Sequence, residues 1–418
     1  MTKITSYGEK RIVMKAVIIA AGEGKRMRPL TYNRPKVMLP VAVKPVLEHL
    51  LVEMKQAGIK EFVFVTGYHE EKVKEYFDSG DKWGVNIEYV TQVEQAGTAD
   101  AVRTVENLVE DRFLVANGDI IIGSGDINVI AESSGTTMSL YKVDNPEGLG
   151  TVEVESGFVT RIHEKVENPP SNLANAALYL FTRDIFKAIA RTPLSQRDEY
   201  ELTDSIQWLV DNNIKVAYRE LDKWMDTSYP WDLLTANENL LTEINSDIQG
   251  DVEENVVLKG AVNVGKGSVI RSGSYISGPV VIGEDCVLGP NCYIRPSTSI
   301  GNGCHVGASV EIKNSIIMNG SKVPHLSYVG DSVIGEDCNL GAGTKVANLK
   351  LNNKEVTIEG IDTGRRKLGV IMGDGVETGI NSSINVGTVI GSESRIGPGT
   401  FISGNLPPKS RVFISRSN

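Results

Sequence analysis

The chain has 418 residues with 43 basic and 53 acidic side chains, a net charge of −10, and 23% of it is charged, too polar for a membrane-embedded protein. The negative balance argues against a nucleic-acid binder, which needs a basic face, and the length suggests about two or three domains, each able to bury a core without a metal or disulfide staple. The first thirteen residues lack the apolar core of a signal peptide, and no apolar run approaches the ~18 residues of a membrane span, so a cytoplasmic protein without a membrane partner is expected.

Glycine divides the chain: 15 of the 42 fall in residues 1–249 and 27 in the remainder, while all four tryptophans lie in the first part. Short apolar runs at Ala16 to Ala21, Phe62 to Val65, Ile87 to Thr91 and Phe113 to Ala116 alternate with amphipathic stretches, and Pro45 to Gln56 reads as a helix ended by Gly58. That alternation is the pattern of an α/β domain, whose ligands lie at the carboxyl ends of its strands. Ala20-Ala21-Gly22-Glu23-Gly24-Lys25-Arg26-Met27-Arg28-Pro29 follows the first strand. A dinucleotide fold needs a third glycine where Met27 stands, and the Gly-Lys-Ser/Thr ending of a P-loop is absent. What remains is a glycine turn able to approach a nucleotide, followed by Lys25, Arg26, Arg28, Arg34 and Lys36, a candidate triphosphate site in an acidic chain. The alternative is an ordinary strand-to-helix turn with solvated charges. Further along, Asp232 to Ile244 reads as a linker helix.

From residue 250 onward, apolar-Gly dipeptides place glycines at 265, 283, 289, 301, 307, 335, 341, 373, 379, 391 and 397. Most intervals are multiples of six, the signature of a parallel β-helix with three hexads to a coil. Two intervals, of 28 and 32, break the period, so loops are expected to leave the prism there. The first holds Pro324 to Tyr328 and the second Asn348 to Arg366, and breaks in a regular solenoid are favoured places for function. Cys286, Cys292, Cys304 and Cys338 each fall four residues after an apolar residue followed by Gly, which makes them small packing residues rather than metal ligands.

The loop after the first strand, with Pro35-Lys36 and Leu39-Pro40-Val41, resembles the opening signature of the sugar-phosphate nucleotidyltransferases. Gln92 with Gly97-Thr98-Ala99, Asn117-Gly118-Asp119, Gly150, Glu164-Lys165, Asn175 and Trp224-Met225-Asp226 match in order. The resemblance implies a Rossmann-like nucleotidyltransferase domain over residues 14–245. It implies nucleotide contacts at Ala21, Gly22, Gly24, Gln92, Gly97 and Thr98, with Arg26 supporting pyrophosphate and Lys36 contacting phosphate. Asp119 and Asp226 would hold Mg²⁺, and Gly150, Glu164, Lys165 and Asn175 would face the sugar phosphate. Where the family commonly has Gly, this chain has Ala177, whose methyl is expected to crowd the sugar.

Lys322 to Asp331, with Gly341-Ala342-Gly343-Thr344 and Asn348, resembles the acetyltransferase half of the bifunctional glucosamine-1-phosphate N-acetyltransferase / N-acetylglucosamine-1-phosphate uridylyltransferases. The Arg365-Arg366-Lys367 segment is closer to archaeal relatives. This implies a left-handed parallel β-helix of hexapeptide repeats over residues 250–404. It implies His325 as general base, Tyr328 and Asn348 as positioning groups, and sugar-phosphate contacts at Arg295, Lys313, Asn339 and Lys354. A lone histidine is ordinarily structural; the break in phase sets this one apart. Together the two halves imply acetylation and then uridylylation of a hexosamine 1-phosphate, with acetyl-CoA and UTP as co-substrates, small molecules as the only substrates, no nucleic acid, and a homotrimer with acetyltransferase sites between subunits. Two alternatives stand beside this: a nucleotidyltransferase acting on glucose 1-phosphate with dTTP or UTP whose β-helix serves assembly, and a non-catalytic assembly subunit.

Overall fold

A computed structural model describes residues 14–414, so the question whether Met1 to Val13 is a genuine extension falls outside the described residues. The chain forms two compact units. One comprises residues up to Glu23, Arg34–Met38 and Val46–Asp226; the other takes Gly24–Asn33, Leu39–Pro45 and everything from Thr227 onward.

The first unit is built on a nine-stranded sheet. Asn86–Thr91, Glu61–Thr66, Lys15–Ala20 and Arg112–Asn117 run parallel in that spatial order. The sheet continues through Leu173–Thr182, antiparallel to Arg112–Asn117, and then through Thr137–Lys142, Ala217–Glu220, Phe158–Glu164 and Gly150–Glu155. Ala16, Val17, Ile18, Phe62, Phe64 and Leu114 are completely or almost completely buried. Strands covered on both faces read as continuous apolar runs, which is why these segments were recognisable without alternation. Strand order reverses at Lys15–Ala20, between neighbours reached in opposite directions, so the loops leaving it and Arg112–Asn117 open onto one crevice. The expected helix is present as Val46–Gln56.

The second unit is a parallel β-helix, consistent with the left-handed hexapeptide class. One sheet runs through nine strands from Asp247–Ile248 to Asn405–Leu406, and another through eight from Val257–Lys259 to Phe401–Ile402. The third has five strands, Asp251–Val252 to Lys322–Val323, continued by three from Glu377–Thr378 to Arg411–Val412 through bridges at Asn339. Inward residues stack from coil to coil: Ile276 on Ile294, Ile294 on Ile312, Ile312 on Val329. All four cysteines are buried in this core and form no disulfide, as packing residues should.

Coil length explains both breaks in period. Regular coils advance 18 residues, as from Val262 to Val280 and from Val280 to Thr298. The next two advance 17, Ser299 to Ile316 and Ile316 to Val333. The corners are made by residues in the left-handed region, Asp285, Asn291, Ser297, Gly303, Ser309, Asn314, Gly320, Leu326, Asp331, Asp337 and Gly343. They are six apart except at Ser309 to Asn314 and Leu326 to Asp331, which are five apart. The interval of 28 is therefore five hexads short by two residues, and no loop leaves the prism at Pro324 to Tyr328, contrary to expectation. The interval of 32 does contain an excursion: Val333 pairs with Ile371, 38 residues on, a full coil plus 20. Leu349 and Lys367 bridge its neck.

Helix Asp232–Leu241, expected as a linker, groups with the second unit. Asn237, fully buried, accepts from the Ala42 N–H at 2.9 Å and donates to the Ser297 carbonyl at 2.8 Å. Asn237→Ala would leave two buried backbone groups unpaired, each worth about 1–3 kcal/mol. The unfolding transition of the second unit should therefore fall by about 3 kcal/mol in urea titration; an unchanged midpoint would show that the helix is not fixed by these bonds.

Candidate active sites

In the first unit, chain reversal after Asn117 brings Asp119 to the start of the short strand Ile120–Ile122, which pairs antiparallel with Trp224–Asp226. The register sets Asp226 opposite Ile120, so two carboxylates 107 positions apart in sequence meet at one place. Lys36 lies between them: its ammonium donates closely to Asp119 Oδ2 and stands 3.5 Å from Asp226 Oδ1, with only 12% of its side chain exposed. Two hard oxygen donors converging on one buried cation fit a divalent cation site. No group of three or more metal-ligating side chains occurs among the described residues, so the remaining ligands would have to come from water and phosphate.

The base-reading candidates are organised by one buried amide. Gln92 donates to the Gly97 carbonyl at 3.0 Å and to Asp100 Oδ2 at 2.8 Å. Thr98 Oγ1 accepts from the Leu202 N–H at 3.0 Å. Gly97 has φ +113°, and a Cβ there would stand 2.5 Å from the Tyr200 carbonyl oxygen. Gly22 lies exposed after the buried Ala21, where a backbone approach by a ligand is open. Gly24, in the left-handed region, begins the turn Lys25–Met27 within the second unit, where the Arg26 guanidinium lies 5.4 Å over the Tyr229 ring.

The expected sugar-phosphate side also assembles. Gly150 pairs with Glu164 across the sheet, and a Cβ at 150 would come within 3.0 Å of Glu164 Oε2. Glu164 accepts from Arg197 at 3.1 Å and Thr203 at 3.2 Å, with the Lys165 ammonium 3.6 Å away. Asn175 sits in an irregularity of its strand, exchanging hydrogen bonds with Tyr179 Oη and accepting from the Ala177 N–H at 3.1 Å. Burial raises the Tyr179 phenol well above its ordinary range. Ala177 itself has φ +57° and is 9% exposed. A left-handed residue costs about 1–2 kcal/mol when it carries a Cβ, a backbone cost that the glycine expected here from the family resemblance would avoid. Asp100, Arg197 and Tyr179 had no signal of their own in the sequence.

On the β-helix, Arg295 and Lys313 occupy one outward column, because Ile294 pairs with Ile312 in the core. Arg295 donates to Glu311 at 2.8 Å, and that bond leads in holding the guanidinium protonated. Lys313 donates to Asp331 at 3.0 Å. Asp331, 2% exposed, also accepts from Asn314 Nδ2 at 2.9 Å and from Asn348 Nδ2. Asn348 in turn stands 3.2 Å from Tyr328 Oη, whose pKa is raised by burial. Arg295, Lys313, Tyr328 and Asn348 are thus brought together, with Asp331 as the hub the sequence reading passed over. Asn314 and Asp331 are the residues at the two shortened corners, which the register of the coils reveals.

His325 is exposed at the corner before Tyr328, its carbonyl accepting from the Gly343 N–H at 2.8 Å and from Ser327 Oγ at 2.9 Å. On the adjoining sheet, His305 is held below its ordinary pKa by burial and by the charges of Arg271, His325 and Lys322. Asn339 lies on that adjoining sheet, between Lys322 and Glu377, and is not joined within one chain to Arg295 and Lys313. Lys354 is exposed on the excursion, its N–H donating to Asn352 Oδ1 at 3.1 Å.

Residues 15–243 match the model of the nucleotidyl transferase family. The chain belongs to this family. Residues 276–406 match the family model described as the GMPPB C-terminal domain. A protein named Bifunctional protein GlmU from Methanocaldococcus jannaschii is 42% identical over 96% of this chain and 97% of its own. A Bifunctional sugar-1-phosphate nucleotidylyltransferase/acetyltransferase from Sulfurisphaera tokodaii is 40% identical over 93% and 97%. Among solved structures, a putative glucose-1-phosphate thymidylyltransferase from Bacillus anthracis is 31% identical with a TM-score of 0.51, covering 56% of this chain and 97% of that one.

Gly97→Ala tests the nucleotide loop. Strain at positive φ and the clash with Tyr200 should together cost about 3 kcal/mol. Displacement of the Gln92 acceptor should lower nucleotide turnover at least tenfold; a variant with wild-type stability and turnover would show that the loop is not built this way.

Proposed function

We propose that the chain acetylates glucosamine 1-phosphate with acetyl-CoA and then uridylylates the product with UTP, giving UDP-N-acetylglucosamine and pyrophosphate in the cytoplasm. The observation that carries this reading is the presence of two separately organised sites, one in each unit, each gathering cations around a buried or half-buried carboxylate. An assembly-only β-helix would have no use for a lysine paired with an interior aspartate.

In the first site, the sugar phosphate oxygen attacks the α-phosphorus of the nucleotide, and the bond to pyrophosphate breaks. Lys36 neutralises charge on the phosphates as the leaving group departs. Asp119 and Asp226 would hold Mg²⁺, which when bound supplies Lewis-acid polarisation of the phosphoryl oxygens. Gln92, Gly97 and Thr98 position the base, with Ala21 and Gly22 giving the phosphates close access to backbone. Glu164, Lys165, Asn175 and Gly150 orient the sugar.

In the second site, the amine of the sugar attacks the thioester carbonyl. His325 takes the proton the amine loses, the C–S bond breaks, and the thiol of coenzyme A departs with a proton. Tyr328 and Asn348 hold the amino sugar, while Arg295, Lys313, Asn339 and Lys354 meet its phosphate, the last two from faces that a neighbouring copy would bring close. A homotrimer accords with one exposed column on the sheet bearing Arg295 and Lys313: Val257, Tyr275, Tyr293 and Phe401 are each more than a third exposed. Sedimentation should therefore give a species near three times 45.4 kDa, and a monomer at micromolar concentration would remove the shared site.

Reciprocal substitutions test the pair of activities. Asp119→Asn keeps shape but loses a charge, so pyrophosphate release from UTP and N-acetylglucosamine 1-phosphate should fall by orders of magnitude while acetyl transfer persists. His325→Ala should do the opposite, since general-base assistance is worth ~10²- to 10⁴-fold. Wild-type protein without acetyl transfer to any hexosamine 1-phosphate would remove the second activity; near-normal turnover of Asp119→Asn would remove the metal assignment.

A further inference from the structure

The hydrogen-bonded cluster around Asp331 does not end at the β-helix. Asn314 Nδ2, which donates to Asp331 Oδ1 at 2.9 Å, also donates to Glu238 Oε1 at 2.8 Å. Glu238 lies on helix Asp232–Leu241. The same carboxylate oxygen accepts from Arg365 Nη2, and Arg365 Nη1 donates to Thr235 Oγ1 at 2.8 Å. Arg365 stands on the returning limb of the 20-residue excursion, two residues before the neck bridge of Leu349 with Lys367, and only 15% of its side chain is exposed. Asn348, at the other end of the excursion, is held by Asp331. Glu238 therefore ties together three elements: the helix, the shortened corner at Asn314, and the far end of the loop whose near end carries Asn348.

We propose that Glu238 is a positioning residue for acetyl transfer, acting through Asn314 and Arg365 on Asp331 and so on the orientation of Lys313 and Asn348. The proposal rests on the acetyltransferase reading above and deepens it. A carboxylate shared by an amide and a guanidinium fixes both, because charge-assisted bonds are short and directional. With Glu238 removed, Asn314 loses one of its two acceptors and Arg365 loses its charged partner. Asp331 then keeps Lys313 but no longer holds it against a fixed frame. The groups that suffer are those that bind the sugar phosphate, so the loss should appear in the affinity for that substrate more than in the chemical step.

The experiment measures acetyl transfer by the full-length protein at saturating acetyl-CoA with glucosamine 1-phosphate varied, alongside pyrophosphate release with UTP. Glu238→Ala should raise KM for glucosamine 1-phosphate at least tenfold, with kcat within threefold and uridylyl transfer unchanged. Glu238→Gln retains an accepting oxygen and should stay within threefold of wild type. The double variant Glu238→Arg/Arg365→Glu restores the ion pair that ties the excursion to the helix, with the partners exchanged. That swap should recover KM to within threefold of wild type. An unchanged KM in Glu238→Ala, a parallel fall of both activities in that variant, or a swap no better than the single change would each overturn the positioning role. Absence of acetyl transfer in the wild type would instead sink the underlying reading, and the proposal with it.

Discussion

A parallel coil must return to the same place after every turn, and that closure governs what the second unit can carry. Each sheet demands that inward residues stack on inward residues, so a coil can lose or gain residues only at its corners. The chain uses both freedoms. It drops one residue at Asn314 and one at Asp331, and it adds 20 between Asn348 and the return of the chain. The deletions leave the core ladder intact, since Ile312 still stacks on Val329. What changes is the corner, where a shorter turn draws a polar side chain toward the neighbouring coil. Asn314 and Asp331 thus touch each other across coils, and around them gather Lys313, Asn348 and Tyr328.

The first unit meets a different constraint. Bringing Asp119 and Asp226 together places like charges side by side, and two unit charges about 4 Å apart interact by about 4 kcal/mol where the effective dielectric is about 20. Lys36 removes that penalty by standing between them. On the proposed reading, Lys36 meets a phosphate, and Asp119 and Asp226 would hold the divalent cation that supplies Lewis-acid chemistry there.

Much of this was legible in the chain of residues because it is local or periodic. The buried parallel strands declare themselves as apolar runs, the glycine turn as a loop with cations behind it, and the coils as a six-residue beat. The 28-residue interval misled because two single deletions and one insertion can give similar residues modulo six; only the register of Ser299 with Ile316 and of Ile316 with Val333 separates them. Asp331, Glu238 and Arg197 were illegible for a related reason. Their partners are distant in sequence and are chosen by coil register or sheet crossing, which no spacing rule reports. Ala177 was read as a steric matter for the sugar, whereas its positive φ makes the backbone an equal part of the question.

An acidic protein that handles anionic substrates must keep its cations from being spent on its own surface. Here four of the expected phosphate-binding cations stand beside carboxylates: Lys36 by Asp119, Arg295 by Glu311, Lys313 by Asp331 and Lys165 by Glu164. The more exposed of these pairs, Arg295 with Glu311 and Lys165 with Glu164, add little stability, typically about 0–1 kcal/mol. Their value lies in direction. A lysine or arginine left alone samples many rotamers, and binding must freeze them at about 0.5–1.5 kcal/mol per side chain. A carboxylate neighbour freezes them beforehand, during folding. The phosphate then competes with a partner already in place, which weakens binding of any single anion but rewards a ligand that engages several of these cations at once. On the proposed reading, a sugar phosphate would be favoured over free phosphate, because it could engage Arg295, Lys313 and the Tyr328–Asn348 pair together.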